Sequence, residues 1–235
     1  MKKLFSIIIS FLVTLNLFAE VSITCSKKWE QHQVCDKGYF TLCYIEDLEI
    51  PEYVYYDLLK DHAIDDSTPR KDSFKSDPEI TTGSAVTADY TNSGYDRGHL
   101  ANCDDFRYDE TAMKTTFLMS NIAPQLPAFN RGGAWRSSEV QGEAYAVCYG
   151  HVEIITGPIF TNTVMTYIGK KNKIAVPDGF YKIFYNKENN ILEAFVIYQN
   201  DCSKNLDSYK VSIETVETLT GLKFEFKWRN LLKSI

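Results

Sequence analysis

The segment Asp96-Arg97-Gly98-His99 places a carboxylate, a guanidinium and an imidazole within four residues. A neutral imidazole can accept a proton from water near neutral pH, and a guanidinium can stabilise negative charge that develops in a reaction. Downstream, Asn121, Asn130 and Glu139 offer amide and carboxylate oxygens, which are the ligands that a hard divalent cation prefers. These residue types together predict a metal-dependent site for phosphodiester hydrolysis, because that reaction needs a base and positive charge around a phosphate.

Each of these residues also has an ordinary structural explanation when it is taken alone. A single histidine is more often part of a core than of a site, and an asparagine before glycines often belongs to a turn. Glu139 and Arg97 taken singly are typical solvated surface residues. His151 begins an apolar alternating segment without such neighbours and is expected to be structural. The chemical hypothesis therefore depends on the fold bringing the residues together.

The segments that must position these side chains show the periodicities of both strands and helices. Apolar runs and alternation predict strands at 39–45, 52–59, 117–124, 151–160, 180–185 and 192–198. Helix formers and capping residues predict a short helix or turn at 109–117 and helices at 135–149 and 212–221. The polar segment 61–92 predicts a long loop, which in a compact domain is usually functional or disordered. No linker or repeat divides residues 20–235, which predicts one α+β domain.

The first residues predict a signal peptide at 1–19. Lys2 and Lys3 precede the apolar run from Leu4 to Phe18, which polar residues interrupt, and Ala19 precedes the first acidic residue. The run is short for a membrane span, and an uncleaved N-terminal anchor is the alternative. The sequence therefore predicts an exported protein, periplasmic or extracellular, with no stable membrane association after the leader is removed.

The charge balance does not favour extensive nucleic-acid binding. The chain has 25 Lys and Arg residues against 31 Asp and Glu residues, a formal net charge of −6, which changes to −8 when Lys2 and Lys3 leave with the leader. Lys and Arg dominate contacts to phosphates, so a nucleic-acid substrate needs a local basic patch and a metal ion. Arg70, Lys71 and Lys75 form a small basic cluster ahead of the central motif.

Six cysteines follow the predicted leader, namely Cys25, Cys35, Cys43, Cys103, Cys148 and Cys202. An even number in an exported chain favours disulfide bonds, whereas a zinc site is less well supported because no CxxC pair is present. The first three lie close together in sequence, which favours one bridge near the mature N-terminus. The sequence alone does not choose among the possible pairings.

Three blocks stand in order around the chemical residues. They are Tyr95-Asp96-Arg97-Gly98-His99-Leu100-Ala101, Met119-Ser120-Asn121-Ile122-Ala123-Pro124-Gln125, and Asn130-Arg131-Gly132-Gly133-Ala134-Trp135 followed by Glu139. The blocks resemble the DNA/RNA non-specific endonuclease family, the ββα-metal nucleases with a DRGH motif, and the resemblance is strongest over about residues 50–200. It implies a central antiparallel β-sheet flanked by helices, with a ββα-metal active-site unit that carries the histidine on a strand and the asparagine on a helix.

The resemblance implies a role for each main residue of the site. His99 matches the general base, Asn130 the direct protein ligand of the metal, and Glu139 the carboxylate that orients the waters of that metal. The ion is expected to be Mg²⁺, with Mn²⁺ as the alternative. The implied activity is cleavage of DNA and RNA with little sequence preference, giving 5′-phosphate and 3′-hydroxyl ends.

Four further residues complete the expected site. Asn121 matches a supporting residue, and Arg97 matches the arginine of the motif. Arg70 and Arg131 are, with Arg97, the expected contacts to the substrate phosphates. The spacer 131–134 is longer than in the family, and its additional glycine predicts a bulge at the start of the following helix.

Two other functions suit the same sequence. A catalytically silent nucleic-acid-binding or surface module on this scaffold agrees with the acidic charge and the longer spacer. A hydrolase of small phosphodiesters or nucleotides would use the same residues on a smaller substrate. Cleavage assays on polymers and on a model diester separate these alternatives from a nuclease.

Overall fold

The described part of the chain is built on a seven-stranded antiparallel sheet. The computed structural model describes residues 21–201 and 203–227. In spatial order the strands are β12 (Lys210–Val211), β11 (Ile191–Tyr198), β10 (Gly179–Asn186), β7 (His151–Ile159), β4 (Ile50–Leu59), β3 (Thr41–Ile45) and β2 (His32–Asp36). Every neighbouring pair is antiparallel. The predicted α+β class with a central antiparallel sheet is therefore confirmed.

Three strand pairs and five α-helices of the described residues surround this sheet. The pairs are β1 (Val21–Thr24) with β13 (Lys223–Phe226), β5 (Asp96–His99) with β6 (Ile122–Gln125), and β8 (Thr166–Ile168) with β9 (Ile174–Val176). The helices are α1 (Lys60–Ile64), α2 (Glu110–Thr116), α3 (Pro127–Asn130), α4 (Gly133–Tyr149) and α5 (Ile213–Thr220). The Ser212 hydroxyl caps the start of α5, and Gly221 ends it in a left-handed conformation, as the sequence predicts.

The two faces of the sheet carry separate apolar cores, because successive side chains of a strand point to opposite sides. On β10, Phe180 and Phe184 belong to the larger core, whereas Ile183 and Tyr185 belong to the smaller one. Residues of α4 and β6 complete the larger core, and we call that side of the sheet the cleft face. Residues of α5, β1 and β13 complete the smaller core, on what we call the rear face.

Most predicted elements are confirmed, and two predictions are wrong in their bounds. The loop predicted at 61–92 begins inside α1 and contains a 3-10 turn at Thr87–Tyr90, and one strand is shorter than predicted. The hairpin of β10 and β11 and the helices α2, α4 and α5 lie where the sequence places them. The strand predicted at 117–124 is β6, which begins only at Ile122 and continues through Pro124 to Gln125. Proline fits there because β6 pairs with a single neighbour, so a missing N–H does not break a central ladder.

Some predictions concern residues outside the described part of the chain. The predicted signal peptide at 1–19 and Cys202 both lie there. None of the helices in the described ranges is long and apolar enough to cross a membrane. The prediction of one domain over 20–235 stays a prediction.

Candidate active site

The central motif forms a short strand that is held against β6. Arg97 faces Pro124 and His99 faces Ile122 in the antiparallel register of β5 and β6. Gly98 is required at this point, because a Cβ there would lie 2.2 Å from the buried side chain of Gln125. The glycine therefore lets Gln125 cross β5 while the residues on either side of it keep their positions.

The chain leaves β6 and forms two consecutive helices that bring Asn130 and Glu139 to the motif. Asn130 is the last residue of α3, and Glu139 lies two turns into α4. Between them Gly133 has a φ of +64°, a left-handed conformation that glycine adopts without the cost that a side chain imposes. The bulge predicted at the start of the helix is thus a break between α3 and α4.

A cleft of about 510 Å³ lies where β5, α3, α4 and the loop after α1 meet. The expected site residues that line it are Arg70, Arg97, His99, Asn130, Arg131 and Glu139. Asn121 does not line it. Its buried amide bonds the backbone N–H and C=O of Ala101 and the carbonyl of Thr116, so it fixes the chain just after the motif.

His99 is buried and surrounded by aromatic rings. Its ring centroid lies 4.7 Å from that of Phe117, edge to face, and 5.4 Å from that of Phe74. Its Nε2 is buried and has no hydrogen-bond partner among the described residues. Burial lowers the pKa of His99 to about 3, and the positive charges of Arg70 and Arg97 act in the same direction. The imidazole is therefore neutral at physiological pH, and His99 is one of the residues that line the cleft.

Asp96, the first residue of the motif, fixes the orientation of Asn130. Its carboxylate accepts a hydrogen bond of 3.0 Å from Asn130 Nδ2 and bonds of 2.8 and 2.6 Å from Arg131. A carboxylate can only accept, so the amide nitrogen of Asn130 must face it and the amide oxygen is left for another partner. Burial opposes the charge of Asp96, but the bonds from Arg131 and Asn130 outweigh it and lower its pKa.

Two guanidinium groups share the aromatic rings that enclose His99. Arg97 Cζ lies 4.3 Å from the centroid of Phe74, and Arg70 Cζ lies 5.6 Å from that of Phe117. Arg70 also donates a 3.1 Å bond to Asp72. Among the described residues Arg97 forms no ion pair with a carboxylate, so its charge is available to an anionic ligand. Phe74 and Phe117 are therefore part of the candidate site. The sequence did not predict this, because an apolar residue in a sequence indicates only a place in the hydrophobic core.

Glu139 belongs to a charged group that sequence reasoning missed in part. Arg136, one turn earlier on α4, donates a 3.0 Å bond to its carboxylate and lies 3.7 Å from Asp104. Burial raises the pKa of Glu139, and the positive charges of Lys182 and Arg136 oppose that rise. Arg136 had a signal in the sequence, since residues three apart on a helix are neighbours. Lys182 had none, because it comes from β10.

Lys182 of β10 packs against Trp135 of α4. It is buried, and its Nζ lies 4.2 Å from the ring centroid of Trp135, a favourable contact between a cation and an aromatic face. Nearby, burial raises the pKa of Asp105 to about 7, although the hydrogen bond from Tyr56 acts against it. Asn102 donates to the other oxygen of Asp105. This buried group supports the segment that follows the motif.

The donors around the cleft fit a hard divalent cation. The free amide oxygen of Asn130 and the carboxylate of Glu139 are oxygen ligands of the kind that Mg²⁺ and Mn²⁺ accept. Asp104 and Asn102 line the same cleft and add oxygen atoms. The arrangement can therefore hold a cation opposite a neutral histidine and several arginines, which suits an anionic substrate.

Known proteins are similar to this chain in sequence and fold. A comparison with protein-family models matches residues 20–231 to the family described as DNA/RNA non-specific endonuclease. Human mitochondrial endonuclease G is 31% identical over 212 residues, which cover 82% of this chain and 69% of that protein. Mitochondrial nuclease EXOG of Mus musculus is 30% identical over 200 residues, 78% of this chain and 54% of that protein. A solved structure of the EndoG/EndoGI complex matches with a TM-score of 0.77 and 29% identity over 86% of this chain and 88% of that one.

Proposed function

The chain belongs to the DNA/RNA non-specific endonuclease family, and on that basis we propose that it is an exported, Mg²⁺-dependent nuclease that hydrolyses DNA and RNA. The observation that carries the proposal is the neutral His99, which lines a cleft together with oxygen ligands and arginines. The metal dependence of the family agrees with those ligands. The products we propose carry 5′-phosphate and 3′-hydroxyl ends.

His99 acts as the general base in this proposal. The neutral imidazole accepts a proton from the water that attacks the phosphorus atom, and the bond from phosphorus to the 3′ oxygen breaks. Phe74 and Phe117 pack against the imidazole and hold it in place. The low pKa keeps the ring unprotonated before each turnover.

The arginines of the cleft bind the substrate phosphate. Arg97 is the best placed, because its guanidinium packs on Phe74 and has no carboxylate partner among the described residues. Arg70 is half exposed beside Asp72 and can reach the same phosphate or its neighbour. Arg131 is held by Asp96, so its main effect passes through the position of Asn130. This local cluster of arginines allows a chain with a net negative charge to bind the phosphates of a nucleic acid.

Asn130 and Glu139 would hold the divalent cation. Asp96 turns the amide of Asn130 so that its oxygen is available, and Arg136 fixes the carboxylate of Glu139 on the same side of the cleft. When bound, the cation supplies positive charge that stabilises the phosphate oxygens as negative charge develops on them. Lys182, buried behind Glu139, favours the charged form of that carboxylate and so keeps it able to serve as a ligand.

The test is cleavage of plasmid DNA and of RNA by the purified mature protein. We expect both polymers to be cut with Mg²⁺, to stay intact with EDTA, and to be cut again when Mg²⁺ is restored in excess. End labelling should find 5′-phosphates. Intact polymers with Mg²⁺ present would refute the proposal. Binding without cleavage would identify a silent module, and turnover of a model diester alone would identify a small phosphodiesterase.

Export is proposed from the leader alone, since the relatives above are named as mitochondrial proteins. The charged start and interrupted apolar run at 1–19 support it. Expression of the full chain in a bacterium, followed by fractionation and mass spectrometry, should give a mature protein that begins near Glu20 outside the cytoplasm. Recovery of an intact N-terminus from the cytoplasm or from membranes would contradict it.

A further inference from the structure

A second group of reactive side chains lies on the rear face, away from the cleft. The sulfur atoms of Cys25 and Cys43 are 2.7 Å apart. Even carbon atoms, which are smaller than sulfur, prefer non-bonded separations of about 3.5–4.0 Å. A covalent S–S bond is about 2.05 Å long. The two sulfurs are therefore closer to bonding distance than to ordinary contact.

We propose that Cys25 and Cys43 form a disulfide bond in the mature protein and that this bond fastens the β1–β13 pair to the central sheet. Cys25 directly follows β1, and Cys43 lies within β3, facing Val34 and Tyr53 on the adjacent strands. Both cysteines pack in the rear core, where Val21 and Phe224 contribute from the β1–β13 pair. The bond would close a loop of 18 residues in sequence separation.

The fold excludes both pairings of Cys35 in this region, because Cys25 packs with Cys43 on the rear face. Cys35 and Cys43 lie on neighbouring strands, but Cys35 belongs to the core of the cleft face and Cys43 to that of the rear face. Side chains on opposite faces of a sheet cannot meet. Cys103 lines the cleft, and Cys148 is exposed near the end of α4. The structure therefore selects Cys25 and Cys43 among its described cysteines.

The two thiols differ in a way that orders the reaction. Cys25 is partly exposed, whereas Cys43 is buried. The contact between the two thiols lowers the pKa of Cys25, and the same contact together with burial raises the pKa of Cys43. Cys25 is thus the thiol that ionises first and that an oxidant can reach, and a thiolate is the attacking species in disulfide exchange.

The oxidant is a small or protein disulfide, of which glutathione disulfide is the simplest. The Cys25 thiolate attacks one of its sulfurs, forms a mixed disulfide and expels one glutathione thiolate. The Cys43 sulfur, losing its proton, then attacks Cys25 and expels the second glutathione. Two protein thiols are oxidised by two electrons, and one glutathione disulfide is reduced to two glutathione thiols that take up the two protons. Such oxidants prevail outside the cytosol, in agreement with the proposed export.

The alternative to a disulfide bond is a divalent cation such as Zn²⁺ bound by Cys25, Cys43 and their neighbours. Ligand atoms of Cys25, Cys43 and Glu52 all lie within 4.8 Å of one another, and His32 Nε2 is 3.1 Å from Glu52 Oε2. Tetrahedral Zn²⁺ with Zn–S bonds of about 2.3 Å keeps two thiolates roughly 3.8 Å apart. To bind zinc, the two sulfur atoms would have to move apart by about 1 Å from their separation of 2.7 Å. To form a disulfide bond, they would have to move together by a smaller distance, and the geometry therefore favours the disulfide.

Peptide mapping of the wild-type protein tests the pairing directly. The mature protein is equilibrated with glutathione disulfide, unfolded without reductant, treated with N-ethylmaleimide and digested with trypsin. We expect a linked pair of peptides that contain Cys25 and Cys43, two mass units lighter than their sum and split by reductant. Alkylation of both cysteines under these conditions overturns the proposal. So does a protein that, after the same equilibration, still binds one equivalent of Zn²⁺ that the Cys25→Ser, Cys43→Ser double variant does not bind.

Thermal unfolding tests the role of the bond. Reduction with dithiothreitol should lower the Tm of the oxidised protein by ~10 °C. The reason is that a disulfide bond between residues 18 positions apart restricts the conformations of the unfolded chain. The double variant should unfold at the lower temperature with or without dithiothreitol, and Cys148→Ser, at an exposed position, should behave like wild type. A wild-type Tm that reduction leaves unchanged overturns this role.

Nuclease activity separates this inference from the proposed function. The pair lies on the rear face, so DNA cleavage per folded molecule should change less than about two-fold when the protein is reduced below its Tm. An inactive protein that nevertheless contains the linked peptides would refute the proposed function alone. An active protein with both thiols alkylated would refute the disulfide alone.

Discussion

The cleft face and the rear face of the central sheet bury side chains of different kinds. On the cleft face the interior includes His99, Asp105 and Lys182, three ionisable groups that are almost fully buried. The rear core around Ile183 and Phe224 is dominated by aliphatic and aromatic groups, and the buried carboxylates on this side, Glu52 and Glu153, are paired with His32 and Tyr55. Burial of apolar groups stabilises the fold, whereas burial of ionisable groups opposes it unless they are paired.

The difference shows how one sheet supports two tasks. The rear face supplies stability through apolar contact, and the cleft face maintains a histidine with an unpartnered nitrogen. An unsatisfied buried polar atom costs free energy, so it persists only when the surrounding structure enforces it. We therefore expect substitutions on the cleft face to change activity more than stability, and those on the rear face to do the reverse.

The largest effect is expected at His99. The change His99→Ala should lower kcat for DNA cleavage by about 10²- to 10⁴-fold, because it removes the proposed base. Its Tm should fall less than that of Ile183→Ala, since loss of the unpartnered Nε2 offsets the lost ring contacts. His151→Ala is the matched control, because His151 lies beside Asp57 outside the cleft. Full activity of His99→Ala, measured by initial rates with Mg²⁺, would disprove its role.

The reverse result is expected at Ile183 on the rear face. Ile183→Ala should lower the free energy of unfolding by about 2–5 kcal/mol, because the side chain is fully buried and leaves a cavity. Ile183→Val, with one methylene removed, should cost about 0.5–1.5 kcal/mol. Denaturant titration measures both values, and cleavage per folded molecule should stay close to wild type. A loss of activity as large as that of His99→Ala would show that the two faces are not independent.

A smaller effect on activity is expected at Asp96. Asp96→Ala should lower activity by about 10- to 100-fold and weaken the apparent affinity for Mg²⁺, because the amide of Asn130 loses the partner that orients it. Asp96→Asn should retain more activity, since its amide oxygen can still accept from Asn130. Mg²⁺ titration of the cleavage rate gives the comparison. Equal losses in the two variants would show that charge, not orientation, is what Asp96 contributes.

The smallest effect is expected from mild acid. The folded pKa of His99 is about 3, so kcat/KM should lose less than about two-fold to its protonation between pH 7 and pH 5. An exposed histidine, with a pKa near 6.5, would lose roughly 30-fold by pH 5. In the unfolded chain His99 becomes protonated below about pH 6.5, whereas in the folded protein it stays neutral down to about pH 3. Protonation therefore favours the unfolded state, and the contribution of His99 to stability becomes more unfavourable as the pH falls from 6.5 towards 3. A steep loss of activity centred near pH 6.5 would contradict the burial of the base.

Much of the site was predictable because its members have distinctive chemistry and lie in ordered blocks. His99, Asn130 and Glu139 all line the cleft that the motifs predict. The enzyme class is confirmed by the family match over residues 20–231. The antiparallel hairpin of β10 and β11 was predictable as well, because its alternation and turn are local signals.

Residues whose role comes from distant neighbours were not predictable. Lys182 on β10 lies in an ordinary strand pattern, and only the packing of α4 on the sheet places it beside Trp135 and near Glu139. Likewise, the proposed Cys25 and Cys43 bridge follows from the face to which each side chain points. The sequence by itself determined the types of chemical group and the order of the elements. The tertiary structure decided which groups meet, since contacts between remote segments depend on sheet register and layer packing rather than on local pattern.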